Sequence, residues 1–286
     1  MTPPAKEPLQ ILAPNPSPLT GPGTTTFLLG DAHVAVIDPG PDDPAHIEAI
    51  ARAGRDRIGH ILITHAHRDH SAGAARLSRL TGAPVLAFGD AHAGRSALMA
   101  RLADDGLGGG EGLDHAFAPD QHLRDGQVIA TPDWTLTALH TPGHAAGHLS
   151  FQWGDRIFCG DLVMGWSSTL ISPPDGDLSA YFRSLDRLAA LAPRVLLPTH
   201  GPAIAAPLQR IDELARHRRD RTAQILAALR TRPDSAAGLA RRIYAVPEQV
   251  LPIATRNVLA HLIALSQIGA VDFPGILSAE TVFSTA

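Results

Sequence analysis

Four side chains that commonly bind metals occur within six residues, from His65 to His70. The segment reads His-Ala-His-Arg-Asp-His and follows an apolar run at residues 61–64. Side chains two positions apart in an extended chain point the same way, so His65, His67 and Asp69 are expected to face one side, with His70 at the following turn. Imidazoles and a carboxylate that converge in this way are typical metal ligands. The segment therefore predicts a metal site at the end of a buried strand.

Three further candidate ligands occur later in the chain, each close to the end of a predicted strand: His144, Asp161 and His200. Strand ends are where layered α/β proteins commonly build their sites. The complete set is sufficient for two metals. One would be bound by His65, His67 and His144, the other by Asp69, His70 and His200, with Asp161 bridging them.

The predicted cofactor is Zn²⁺, two ions per chain, because the ligands are histidine and aspartate. Mn²⁺ and Fe²⁺ accept the same ligands. Two ions about 3.5–4 Å apart can share a hydroxide, lower its pKa and stabilise the attacked group. The sequence thus predicts a hydrolase in which a metal-bridging hydroxide attacks the substrate and Asp69 helps to orient that hydroxide.

Length and composition place these motifs in an ordinary globular protein of 286 residues, 44% of them hydrophobic and 18% charged. No apolar run approaches the roughly 18 residues that cross a membrane. The proline-rich N-terminus lacks the apolar core of a secretory signal, and a single cysteine excludes internal disulfides. We therefore expect a cytoplasmic protein without a membrane partner. The sequence does not predict an oligomeric state.

The segments around the motifs predict an α/β metal-binding catalytic domain over residues 1–205. Two β-rich runs separated by Gly30-Asp31 indicate a hairpin that ends at Asp38, and strand–helix alternation follows. Residues 89–123 have weak periodicity and a glycine-rich interruption. They are interpreted as a loop over the site, with a long surface connection as the alternative. Residues 163–178 are a second loop whose conformation the sequence does not predict.

Residues 206–286 differ in character and predict a separate C-terminal domain. Helical spacing of apolar residues indicates three helices, and a short hairpin follows them, which suggests a winged-helix-like module. This part is mildly basic, whereas the first part is acidic. The basic charge is compatible with a polyanion partner, and a solvated helix face explains it equally well.

The motifs resemble, in order, those of the metallo-β-lactamase-fold hydrolases. They are Thr-His-Ala-His-Arg-Asp-His-Ser-Ala-Gly at 64–73, Thr-Pro-Gly-His at 141–144, Cys-Gly-Asp at 159–161 and Thr-His-Gly-Pro at 199–202. The resemblance covers about residues 9–205 and implies an αββα sandwich with the site at one edge. Within the superfamily, the chain most resembles β-lactamase-like protein 2 and its bacterial relatives. Leu162 and Thr199 depart from that group, which usually has histidine and glycine there.

The resemblance also suggests roles for residues outside the ligand set. Asp38 resembles the superfamily's carboxylate beneath the histidine cluster, where it would orient a ligand imidazole, with a turn-forming aspartate as the alternative. His148 is a candidate proton donor to the leaving group, or else a hydrogen-bonding residue of its strand. Met164, Trp166 and Ser167 are candidates for the substrate-side wall, with ordinary loop packing as the alternative.

Three reactions fit this site. The leading prediction, which the resemblance to β-lactamase-like protein 2 implies, is hydrolysis of single-stranded RNA phosphodiesters. The alternative is a small-molecule thioester or lactam hydrolase, like glyoxalase II or a weak β-lactamase. The third is a mononuclear-iron, persulfide dioxygenase-like oxidoreductase. Aromatic residues are only 5% of the chain, which leaves few platforms for stacking nucleotide bases.

Overall fold

The computed structural model describes residues 7–109, 112–278 and 280–286. Its strands are β1 (Leu9–Leu12), β2 (Thr25–Leu29), β3 (Val34–Ile37), β4 (Ile58–Leu62), β5 (Val85–Ala87), β6 (Gln121–His122), β7 (Val128–Ala130), β8 (Thr135–His140), β9 (Leu149–Trp153), β10 (Arg156–Gly160), β11 (Val195–Pro198), β12 (Asp234–Ser235), β13 (Val271–Asp272) and β14 (Val282–Thr285). Its helices are α1 (Pro44–Gly54), α2 (Arg68–Ser71), α3 (Ala74–Thr81), α4 (Ala97–Asp104), α5 (Leu178–Ala190), α6 (Pro207–Thr231), α7 (Ala236–Ile243) and α8 (Leu251–Gln267), with 3₁₀ turns at Arg55–Arg57 and Glu248–Val250.

Two sheets form the centre of the first part of the chain. The first has the order β1-β2-β3-β4-β5-β6, with β1 to β3 antiparallel and β3 to β6 parallel. The second has the order β11-β10-β9-β8-β7 and is antiparallel except for the pair β10 and β11. The predicted hairpin over β2 and β3 is confirmed.

The two sheets pack face to face, and helices cover their outer faces. Strand alternation explains this: on β2, Phe27 and Leu29 join the apolar cluster between the sheets, whereas Leu28 points towards α1 and α3. The outer face of the second sheet packs against α5 and α6, for example through Tyr181 and Leu214. The structure is therefore the expected αββα sandwich.

The C-terminal part is a winged-helix-like module, as predicted. It contains α6, α7 and α8 and a small antiparallel sheet of order β12-β14-β13. Its apolar cluster includes Ile225, Leu239, Leu262 and Phe283, all of them fully buried. Helix α6 begins at Pro207, so it extends from the catalytic layers into this module.

Residues 89–123 differ from the expected loop because they contain α4 and β6. Ser96 caps α4 by accepting a hydrogen bond from the backbone N–H of Met99. Met99, Leu102 and Leu107 bury their side chains in the apolar cluster of the C-terminal module. Packing thus crosses the proposed boundary between residues 205 and 206. Two residues of the glycine-rich interruption, Gly110 and Glu111, lie outside the described residues.

Among the described residues, no helix combines the length and apolarity that crossing a membrane requires.

Candidate metal centre

The first ligand segment begins after the buried end of the parallel strand β4 and continues into the first turn of α2. His67 is the N-cap residue of α2 and has an extended backbone, so the chain turns into the helix directly after it. This places Asp69 and His70 on the first turn of α2 while His65 remains in the extended segment. The change of conformation within six residues is what separates the ligands into two groups.

Three histidine nitrogens converge in the first group. The Nδ1 atom of His67 lies 3.0 Å from the Nε2 atom of His65 and 3.0 Å from the Nε2 atom of His144. Burial lowers the pKa of all three imidazoles, that of His67 to about 3, so they are neutral near pH 7. Neutral imidazole nitrogens that face one another at this distance are the donor set that a divalent metal requires.

The second group consists of Asp69, His70 and His200. The Oδ2 atom of Asp69 lies 3.2 Å from the Nε2 atom of His200 and 3.5 Å from the Nε2 atom of His70. The carboxylate of Asp161 lies between the groups: Oδ2 is 3.4 Å from His200 Nε2 and 3.7 Å from His144 Nε2, and Oδ1 is 3.6 Å from His70 Nε2. The structure thus brings all seven candidate ligands together.

Two buried atoms support a metal at this place. Among the described residues, neither the Nε2 atom of His70 nor the Oδ1 atom of Asp161 has a hydrogen-bond partner. Leaving buried polar atoms without partners is costly, and such atoms usually have an ion, a water or a ligand nearby. Both atoms face the space between the two groups, so the residues fit a pair of divalent cations.

The two groups differ in charge. Burial alone would lower the pKa of His200, but Asp161 and Asp69 outweigh it and raise that pKa to about 10. Burial opposes ionisation of Asp69, yet His70 and His200 lower its pKa to about 2. The pKa of His70 is likewise raised, against its burial, by Asp69, Asp161 and Asp38. Without metal, the second group therefore contains charged carboxylates and protonated histidines, whereas the first is neutral.

Asp38 lies beneath His70, where the resemblance suggested it. Its Oδ2 atom is 2.9 Å from the Nδ1 atom of His70 and also accepts hydrogen bonds from the hydroxyls of Thr64 and Thr199. Its Oδ1 atom accepts from the backbone N–H of Thr64. Asp38 is fully buried and has a positive φ of 50° at the end of β3. This geometry holds a proton on Nδ1 of His70 and turns its Nε2 atom towards the site, where that atom can bind a metal once it has lost its proton.

Two other ligands are oriented by backbone carbonyls. His144 Nδ1 donates to the carbonyl of Leu170 at 2.7 Å, and His200 Nδ1 donates to the carbonyl of Gly23 at 3.3 Å. Their Nε2 atoms therefore face the site.

The residues that precede His144 and Asp161 are glycines for a steric reason. Gly143 has φ +153°, and a Cβ there would lie 2.6 Å from Tyr181 Cα. Gly160 has φ +49°, and its Cβ would lie 2.6 Å from His148 Nε2. Any larger residue would displace the ligand that follows.

His148 is placed differently from a proton donor to the leaving group. It is fully buried, and it is not among the residues that line the pocket at the metal centre. Its Nε2 atom accepts the backbone N–H of Asp161 at 3.3 Å, and its Nδ1 atom is 3.0 Å from the Thr141 hydroxyl. Burial lowers its pKa well below the usual value, so the ring is neutral. The geometry favours a hydrogen-bonding role, but the partners of the ring are Asp161 and Thr141 and not residues of its own strand.

A cavity of about 520 Å³ opens over the metal centre. Five ligands line it: His67, Asp69, His144, Asp161 and His200. The three candidates for the substrate wall line it as well: Met164, Trp166 and Ser167. Trp166 is at the surface, 44% exposed, and its indole N–H donates to the carbonyl of His200 at 3.3 Å.

Sequence reasoning missed two other walls of this pocket. Residues 17–20 form one, and the C-terminal module forms the other with Tyr244, Val246, Val250, Ile253, Ala254 and Asn257. These residues belong to no motif. Apolar helical spacing in α8 was a signal for a buried helix, but it did not indicate which neighbour the helix covers.

Arginines of the C-terminal part hold the loop that forms the pocket wall. Arg210 donates to the carbonyls of Met164 and Ser167 at 2.8 and 2.7 Å. Buried Arg218 donates to the carbonyl of Thr169 and, at 3.0 Å, to Oδ1 of Asn257. The Thr169 hydroxyl is itself 3.1 Å from Nδ1 of His144. The basic charge of this region is therefore partly used inside the protein.

Arg256 acts on the same wall from α8. Its guanidinium donates to the carbonyls of Gly108 and Pro173 and, at 2.8 Å, to the hydroxyl of Ser172. It thereby connects α8 to both long loops.

Comparison with known proteins identifies both parts of the chain. Residues 19–200 match the family model "Metallo-beta-lactamase superfamily", and residues 235–275 match "Beta-lactamase associated winged helix domain". A beta-lactamase-like protein 2 homolog from Caenorhabditis elegans is 30% identical over 276 residues, 93% of this chain and 86% of that protein. An atrochrysone carboxyl ACP thioesterase from Aspergillus chevalieri is 32% identical over 236 residues, 80% of this chain and 68% of that protein.

A solved structure is similar over nearly the whole chain. The crystal structure of a metallo-beta-lactamase family protein from Thermus thermophilus has a TM-score of 0.78 and 27% sequence identity, and it covers 98% of both chains. The similarity therefore includes the C-terminal module as well as the sandwich.

Proposed function

The chain belongs to the metallo-β-lactamase superfamily, whose members are metal-dependent hydrolases, and we propose that this member hydrolyses thioesters at a centre of two Zn²⁺ ions. The observation that carries the proposal is the lining of the pocket at the metal centre. None of the described residues that line it is a lysine or an arginine. An uncharged acyl group suits this lining.

RNA makes different demands on a site. Proteins that bind single strands track the phosphate backbone with a positively charged groove, and much of their affinity comes from those contacts. Here Arg210, Arg218 and Arg256 donate to backbone carbonyls around the pocket. Their charges are thus committed to positioning the wall.

The position of α8 also favours a small substrate. A helix that reads nucleic acid needs an exposed face to enter a groove. On α8, Val258 and Leu262 are buried in the module's own cluster, and Ala260 is buried in the cluster of the catalytic layers. Ile253 and Asn257 face the pocket. Little of this helix is left for a nucleic acid.

The residues of the site have defined tasks in such a reaction. Bound divalent metal would polarise the acyl carbonyl and lower the pKa of water. The low pKa of Asp69 keeps its carboxylate ionised, so it can accept a hydrogen bond from the attacking water at the pocket floor. Water adds to the acyl carbon, the carbon–sulfur bond breaks, and the thiol leaves with a proton. The products are a carboxylic acid and a thiol.

The name of one relative supports this choice, since that protein is called an acyl-carrier-protein thioesterase. Single-stranded RNA remains the competing prediction, and lactams are the nearest variant because they present a similar carbonyl. A persulfide dioxygenase would differ in its metal, with one iron ion per chain.

A single panel of assays tests the proposal. The purified chain is loaded with Zn²⁺, its metal content is measured, and it is incubated with a neutral thioester, a cephalosporin and a single-stranded RNA oligonucleotide. We expect two zinc ions per chain and thioester hydrolysis that Asp161→Asn slows by about 10³-fold. Asp212→Asn, an exposed carboxylate on α6, is the matched control and should leave the rate unchanged.

Two results would overturn the proposal. The first is RNA cleavage that requires the same metals while the thioester stays intact. The second is activity on persulfide with one iron ion per chain, which would favour the dioxygenase alternative.

A further inference from the structure

The pocket at the metal centre has a second end, which is lined by apolar side chains and not by polar ones. There the C-terminal module contributes Tyr244, Val246, Val250, Ile253 and Ala254. Four of these five side chains are aliphatic, and the fifth presents an aromatic ring. The cavity continues from this end to His144 and Asp161, so a single ligand can occupy both ends.

One face of a helix start forms most of this apolar end. Val250 is the N-cap residue of α8, and the lining positions 250, 253, 254 and 257 follow the spacing of a single helix face. The next residues along the helix, Val258 and Leu259, are buried in the module's own core. Because one rigid helix carries both faces, the pocket wall is anchored to the core of the module.

Tyr244 is held in place by a cation. The guanidinium carbon of Arg221 lies 3.8 Å from the centre of the Tyr244 ring, and Arg221 also donates to the backbone carbonyl of Ile243 at 3.4 Å. Asn257, at the junction of the two ends, accepts hydrogen bonds through Oδ1 from Arg218 and from the backbone N–H of Ile171. The apolar end is therefore formed before any ligand enters.

We propose that this apolar end binds the acyl chain of the substrate, so that the C-terminal module selects substrates by acyl length. The inference rests on the proposed thioester hydrolysis and adds the substrate class: unbranched, apolar acyl groups of medium length. The scissile carbonyl lies at the metal centre, and the acyl chain extends along Ile253 towards Tyr244. The winged-helix-like module then acts as a specificity domain of the enzyme.

The proposal has a quantitative signature. Each methylene that moves from water into an apolar wall improves transition-state binding by about 4-fold. We therefore expect kcat/KM to rise by about 4-fold per added methylene until the apolar end is full, and then to fall.

The experiment uses the zinc-loaded full chain and S-acyl N-acetylcysteamine thioesters from acetyl to decanoyl, whose leaving thiol is uncharged. Ile253→Trp shortens the apolar end. Ile268→Trp adds the same ring to the C-terminal end of the same helix, where Ile268 is 76% exposed, and serves as the control. Circular dichroism and metal content establish that each variant is folded and loaded.

We expect Ile253→Trp to lower the ratio of the octanoyl to the acetyl kcat/KM at least about 10-fold and to move the optimum to a shorter chain. The control should keep the wild-type profile. If the tryptophan variant does not fold, Ile253→Ala takes its place and should move the optimum to a longer chain.

The outcomes separate the two proposals. A wild-type kcat/KM that is flat across the series, or a profile that neither Ile253 variant shifts, overturns the acyl-chain subsite while thioester hydrolysis stands. Absence of hydrolysis with every thioester overturns the proposed function. In that case, calorimetry with decanoate still tests the apolar end, and equal binding by the wild type and the folded Ile253 variant would refute it.

Discussion

The two ends of the pocket contrast in how they are built. At the metal end, seven polar side chains from four motifs meet at strand ends and are oriented by buried hydrogen bonds, such as those of Asp38. At the apolar end, the lining comes mostly from residues 244–257, where no motif occurs. The metal end therefore depends on specific residue types, whereas the apolar end depends on where α8 packs.

The largest expected effect comes from removing the ligand shared by both metal groups. Asp161→Asn should lower kcat/KM by about 10³-fold for every acyl length, because the metals lose their common carboxylate. The dependence on chain length should persist, since the apolar end is untouched. Steady-state kinetics across the thioester series and metal analysis check both statements. Activity above a tenth of wild type with two metals bound would contradict them.

The next largest effect is a difference between the two ligand groups in how their metal affinity depends on pH. The pKa of His200 is about 10 in the metal-free protein, so binding at the second group must displace a proton, and its dissociation constant should rise at least about 10-fold per pH unit lowered. The first group has histidines with lowered pKa values and should show little change between pH 8 and pH 6. Titration with a chromophoric chelator at pH 6, 7 and 8 measures both constants. Equal slopes would refute the assignment.

The same pKa has a consequence for the stability of the metal-free protein. A histidine whose pKa is raised on folding stabilises the folded state fully below its ordinary value of 6.5. That contribution declines as the pH rises and is lost near pH 10. Denaturant unfolding of the metal-free protein at several pH values should show the free energy of unfolding decline between pH 6.5 and pH 10. Added metal should remove most of this pH dependence.

A smaller effect is expected at the residue beneath the metals. Asp38→Asn removes the negative charge that holds the proton on His70 Nδ1, and metal affinity at the second group should weaken about 10–100-fold. Asp42→Asn is the matched control, because Asp42 is close to Asp38 in sequence but forms an exposed ion pair with Arg76. Competition with a chelator measures the affinity. An unchanged affinity would show that Asp38 only shapes its turn.

The smallest effect is expected from a C-terminal arginine that holds the loop beside a metal ligand. Arg218→Gln removes the guanidinium that donates to the carbonyl of Thr169, beside His144. We expect kcat/KM to fall roughly 3–10-fold at all acyl lengths, with partial rescue in Arg218→Lys. Exposed Arg219→Gln is the control. A loss confined to long acyl chains would instead assign Arg218 to the apolar end.

Local patterns in the sequence predicted the strands and the ligands of the metal end, whereas the αββα sandwich was expected only from the family resemblance. Alternating apolar runs predicted the strands, and motif spacing placed His144, Asp161 and His200 at their ends. For His148, the sequence left two roles open. The three-dimensional structure was needed to show that its two ring nitrogens contact Asp161 and Thr141 and do not face the pocket.

The apolar end was not predictable for a physical reason. Helix α8 buries residues on several faces, including Ala254, Val258, Ala260 and Ile263. A helix that is apolar nearly all round gives a weak periodic signal, and that signal cannot distinguish a core face from a pocket face. The partners of Arg218 were not predictable either, because the Thr169 carbonyl and the Asn257 side-chain amide are distant from it in sequence.

Helix α4 has a consequence for how the protein is made. Its Met99 and Leu102 are covered by the C-terminal module, which is synthesised after them. A nascent chain can therefore contain every metal ligand while the side chains of Met99 and Leu102 are still uncovered. The apolar end of the pocket therefore forms only after α8 has been synthesised and has folded onto α4.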